Sequence, residues 1–182
     1  MDPVLRVYGV FVSLVLTLTA IRLLTADAAA VLGTVTDAIC WPFFDDCRPL
    51  RILGPGAITA TLWGLGLGGL AAARLFLEAR TVPAAWWTLL ALNVVKHGLI
   101  LLDDRMRLNQ HLMAGWVTLA FLLLPAKRAT LKLLLVLFYV WAGVLKFTPE
   151  WLSGAALYVK PFGIEGPLLR ASTAYVLLLE LV

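Results

Sequence analysis

The chain has 182 residues, of which 62% are hydrophobic and 14% charged, with a mean hydropathy of +0.92. An ordinary soluble domain is nearer half apolar and about a quarter charged, so a water-soluble globular protein is excluded and a membrane protein expected. The formal net charge of +4 is read as bearing on orientation in a membrane, not on nucleic acid, for which no binding is expected.

A helix needs roughly 20 mostly apolar residues to cross the hydrocarbon. Apolar runs near 4–24, 56–77, 84–102, 110–125, 131–147 and 167–182 approach that length. They predict an all-α integral membrane protein, a bundle of about six transmembrane helices forming a single domain over 1–182. The apolar residues come in long runs, without the alternation of a β-barrel strand. The first run is too long for a signal peptide and reads as an anchor. The last stops at Val182 with no polar tail, which reads as a chain cut short at its C-terminus.

Between the first two runs lies the longest connection, 25–55, read as an extracytoplasmic loop. It holds "CWPFFDDC", in which Cys40 and Cys47 are the two cysteines of the chain. Outside the cytoplasm such a pair forms a disulfide, and inside it stays as free thiols; both readings stand. In the second run Ala60, Gly64, Gly68 and Ala72 recur every fourth position, a small-residue face suited to close helix packing. The third and fourth runs are joined by "KHGLILLDDRMRLNQHLM". Asp103, Asp104 and Arg105 read as a solvated turn, whereas His111 opens an apolar run beside Asn109 and Gln110.

With the N-terminus inside, the inner segments net +4 and the outer ones zero, whereas Lys and Arg alone number six inside and nine outside. The positive-inside rule counts only Lys and Arg, so it opposes N-inside and leaves the orientation open.

The fifth run, "LFYVWAGVLKFTPEWLSGAALY", ends on Lys146 after an uncharged stretch from Leu133 to Leu145. Thr148, Pro149 and Glu150 then have the character of an N-cap, a first helical position and a first-turn acid. The lysine is therefore expected at a helix end, followed by a short second helix near the membrane boundary. Two readings compete there. A snorkelling lysine sends its head to the interface, whereas a partly buried one, neutral by desolvation, accepts a proton. Glu150, one turn away, is a candidate partner that would keep it charged. No metal site, phosphate loop or Ser-His-Asp arrangement is signalled.

The blocks "NQHLMAGWVTLAFLLLPAKR" and "FYVWAGVLKFTPEWLSGAALY" resemble the HTTM (horizontally transferred transmembrane) domain of vitamin K-dependent γ-carboxylases. The pattern is carried by Tyr139, Ala142, Gly143, Lys146, Trp151 and Gly154, and by the Leu-Leu-Pro close of the fourth run. The resemblance implies that Lys146 is a catalytic base that deprotonates a vitamin K-type hydroquinone. It implies that His111 is catalytic too, assisting beside Asn109. Leu145 stands where the family has the first of two lysines. The family's large extramembrane substrate region has no counterpart here, which leaves the quinone-facing half of the chemistry. Asn109, Tyr139 and Trp151 are the candidate substrate-binding residues, and a quinone is the candidate cofactor.

The alternative is a non-catalytic membrane subunit packed within a larger complex, with membrane lipid and another membrane protein as partners. A small redox accessory protein fits less well, given the extra spans. The Ala, Leu, Gly and Arg bias points to a GC-rich genome, and the bacterial inner membrane is the expected location.

Overall fold

The computed structural model describes residues 2–33, 39–47, 53–106, 109–153 and 165–181, and all regular structure among them is helical. The chain falls into two compact units, Met1–Leu124 and Pro125–Val182.

The N-terminal unit begins with α1, Pro3–Thr25. Asp2 caps it by accepting the Val4 amide at 2.9 Å, and Pro3 takes the first turn, where a missing N–H costs nothing. The helix ends at a turn in which Asp27 adopts φ +52°, a left-handed conformation that aspartate tolerates better than most residues. The short α2, Ala28–Gly33, follows within the segment expected to be loop. Next come α3, Pro55–Leu77, a 3-10 turn at Ala79–Thr81, α4, Val82–Leu101, and α5, Asn109–Leu123.

Three stretches, Pro3–Thr25, Pro55–Leu77 and Ala79–Leu101, are long and apolar enough to cross a membrane. The apolar part of the fourth, His111–Leu123, is shorter, and at 1.5 Å per residue falls short of the roughly 30 Å hydrocarbon core. The described helices follow the predicted runs closely.

Small side chains hold α1 against α3. A Cβ added at Gly69 would collide with Thr17 and lie 2.9 Å from the Ser13 carbonyl, and one at Gly9 would lie 2.7 Å from the Phe76 ring. The hydroxyls along this seam are satisfied. Ser13 donates to the Gly9 carbonyl at 2.7 Å, and Thr17 reaches the Ser13 and Gly66 carbonyls, both at 3.2 Å. Where lipid is as apolar as leucine, such backbone approach replaces hydrophobic burial as the driving force. The small-residue face at Ala60, Gly64, Gly68 and Ala72 is thus only part of the contact surface. Gly68 meets Leu92 of α4, while Gly64 has nothing within 4 Å.

Leu23, Leu32, Ile58, Leu62, Leu99, Ile100 and Met106 share one buried cluster. The end of α1, α2, the start of α3 and the end of α4 therefore meet at one end of this unit. The disulfide loop docks there too. Trp41 Nε1 donates to the Ile100 carbonyl at 3.1 Å, and the Asp104 amide to the Ile39 carbonyl at 2.8 Å.

The C-terminal unit contains α6, Lys127–Leu145, α7, Pro149–Leu152, and α8, Gly166–Leu181. α6 packs along α8, and Thr173 Oγ1 donates to the Leu152 carbonyl at 3.2 Å, tying α7 to α8.

Candidate functional site

Lys146 is the C-cap of α6. Its amide donates to the Ala142 and Gly143 carbonyls at 3.3 and 3.1 Å, which closes the helix. Thr148 restarts the chain by accepting the Trp151 amide at 3.3 Å, with Pro149 in the first turn of α7. This break folds Trp151 back so that Lys146 Nζ stands 4.9 Å from its ring centroid, within cation–π range. The opposite end of the indole is less settled: Trp151 Nε1 is buried without a hydrogen-bond partner among the described residues. Tyr139, Trp141 and Phe147 are all more than half exposed, as an aromatic belt facing lipid would be. The aromatic wall given by the contacts at Lys146 is Trp151. The side chains of Asn109, Gln110, Arg105 and Glu150 lie outside the described residues, as does Gly154 with the stretch after it.

His111 belongs to the other unit, in the first turn of α5. It is 5% exposed, and Lys96 of α4 is 4% exposed. Lys96 Nζ donates to the His111 carbonyl at 3.1 Å. This is one of a series in which α4 side chains bond α5 carbonyls: Asn93 Nδ2 reaches Gly115 at 3.4 Å and Trp86 Nε1 reaches Leu122 at 2.9 Å. The seam fixes the two helices antiparallel, with polar groups paired inside apolar surroundings. His97 adds to it. Its Nδ1 lies 2.7 Å from the Asn93 carbonyl and donates to it. Nε2 is buried without a partner among the described residues, against Gly115, where an added Cβ would overlap the ring.

Asn93 and Lys96 sit at i and i+3 inside a span where polar side chains are expensive and face the protein interior. Asp103 departs from its expectation. Read as solvated, this residue is 0% exposed, because the disulfide loop docks over the turn at this end of α4.

Cys40 and Cys47 are joined as a disulfide with Cα atoms 5.3 Å apart. Beside His111, a cleft of about 220 Å³ is lined by Val15, Leu18, Thr19 and Arg22 of α1 and by His111 and Ala114 of α5. Of the expected site residues, the structure brings together Lys146 with Trp151, and Cys40 with Cys47.

Comparison with known proteins yields no match among family models, curated proteins or solved structures.

Proposed function

We propose that the chain is an HTTM-type protein of the bacterial cytoplasmic membrane that acts on a lipid-soluble weak acid of the hydroquinone class. Lys146 is its general base. The observation that carries this reading is the α6–α7 break, which holds the Lys146 amine over the face of Trp151. A hydroquinone is flat, apolar and weakly acidic. Its ring can lie against an indole and its hydroxyl can meet an amine at hydrogen-bond distance, the geometry that proton transfer requires. The step starts from the neutral amine: the proton passes from the quinol oxygen to Nζ, and it is the resulting ammonium that the indole face favours. The ammonium so formed then faces the negative oxygen and stabilises it in a medium that screens charge poorly.

The test is oxidation of a vitamin K-type hydroquinone by dissolved oxygen, measured in lipid nanodiscs above the protein-free rate. Lys146→Met should lower that excess by about 10²-fold or more, the usual contribution of a positioned base. Helix content by circular dichroism should stay unchanged. Wild-type turnover by Lys146→Met would refute the reading.

A second reading, a membrane subunit docking on a partner through α3, draws on the open surface at Gly64 and the exposed Ala60 beside it. Gly64→Leu would then abolish copurification with that partner while leaving the isolated chain folded.

A further inference from the structure

We infer that the cleft between α1 and α5 binds the anionic headgroup of a membrane phospholipid, with Arg22 and His111 taking the phosphate. The inference stands on the N-terminal unit alone and does not depend on the role proposed for Lys146.

Arg22 lies in the last turn of α1, at the end of the unit where the disulfide loop and the α4–α5 turn gather. Its guanidinium has no ion pair or hydrogen bond among the described residues. A cation at a helix C-terminus is favourable by itself, and that would suffice for an isolated arginine. It does not explain why His111, a residue only 5% exposed, lines the same cleft. The exposed Arg22 and the His111 ring thus border one cleft, where a single acceptor can meet both.

A phosphate meets that requirement, because the guanidinium fork matches two of its oxygens and the imidazole N–H a third. Among the described residues the cleft lining holds no acid that would repel it. The Lys96 ammonium, bonded to the His111 carbonyl at 3.1 Å, adds positive charge behind the site. The rest of the lining identifies the ligand's other end. Val15, Leu18 and Ala114 are apolar, and from Arg22 back to Val15 α1 runs for about 10 Å toward the middle of the helix. An acyl chain fits that groove, with its phosphate at the helix end. A basic pocket between transmembrane helices at headgroup level is a recurrent phospholipid site.

The experiment compares wild type with Arg22→Gln in delipidated detergent micelles, titrated with phosphatidylglycerol, phosphatidylcholine or inorganic phosphate. Retained lipid is read by native mass spectrometry and stability by thermal unfolding. Wild type should keep one phosphatidylglycerol and gain thermal stability from it. Phosphatidylcholine and inorganic phosphate should have weaker effects, and Arg22→Gln should bind phosphatidylglycerol at least tenfold more weakly with unchanged helix content. Arg22→Lys should recover part of the binding, because it restores the charge without the fork. Equal retention by wild type and Arg22→Gln would overturn the inference. So would equal stabilisation by phosphatidylcholine, or full stabilisation by inorganic phosphate alone.

Discussion

The two units have similar Leu- and Val-rich helices but treat them differently. In Met1–Leu124, Leu62 and Phe76 are completely buried and Leu65 nearly so; Gly69 lets α3 approach the α1 backbone and Gly9 makes room for the Phe76 ring. In Pro125–Val182, Leu133, Leu135, Trp141, Val144 and Leu178 are exposed, and among the described residues the buried apolar side chain is Leu169. Hydrophobicity therefore marks a membrane segment without saying whether protein or lipid covers it. Small residues and paired hydroxyls make that distinction.

The same contrast holds for the two lysines. Lys96 is enclosed and bonded to a backbone carbonyl, whereas Lys146 is half-buried at a helix break and rests on an indole face. Charge reversal should separate them most sharply. Lys96→Glu places a carboxylate against the His111 carbonyl and should destabilise by about 3 kcal/mol or more, as uncompensated buried charges do. Lys146→Glu should cost no more than about 1 kcal/mol, the worth of a partly exposed cation–π contact. Unfolding by SDS in mixed micelles, followed by tryptophan fluorescence, measures both. Equal losses would erase the distinction.

Helix packing gives the next largest effect. Gly69→Leu should destabilise by about 1–3 kcal/mol or more by forcing α1 from α3. Gly64→Leu, with open space before it, should shift stability by less than about 0.5 kcal/mol in the isolated chain. A matching pair of losses in the same unfolding assay would mean that the α1–α3 contact is misplaced.

The disulfide contributes less. Cys47→Ser opens a short loop and should cost about 2 kcal/mol by the chain-entropy estimate. The thermal midpoint of wild type should fall with reductant, whereas that of Cys47→Ser should not respond. The smallest effect is Trp151→Phe, which keeps an aromatic face for Lys146 and should change stability by about 0.5 kcal/mol.

Much of the helical order was legible in the sequence. Asp2 before Pro3 marks the start of α1, and Thr148 before Pro149 marks the restart after Lys146, because capping is local chemistry. The packing register was harder to read. The repeat at Ala60, Gly64, Gly68 and Ala72 is conspicuous, yet the closest approach is at Gly69 and Gly9, which depends on Thr17, Ser13 and Phe76 from elsewhere in the chain. The burial of Lys96 and Asp103 was hidden for a similar reason. Their partners are a carbonyl of α5 and a turn beneath the disulfide loop, and sequence distance conceals such contacts.

The central claim is that the α6–α7 junction is where a quinone-class ligand meets the chain. Photoaffinity labelling with an azidoquinone in nanodiscs, mapped by peptide mass spectrometry, tests it most directly. The account predicts adducts within Tyr139 to Leu152, suppressed by excess hydroquinone and diminished in Lys146→Met. Labelling spread evenly over the exposed apolar faces and indifferent to competitor would contradict it.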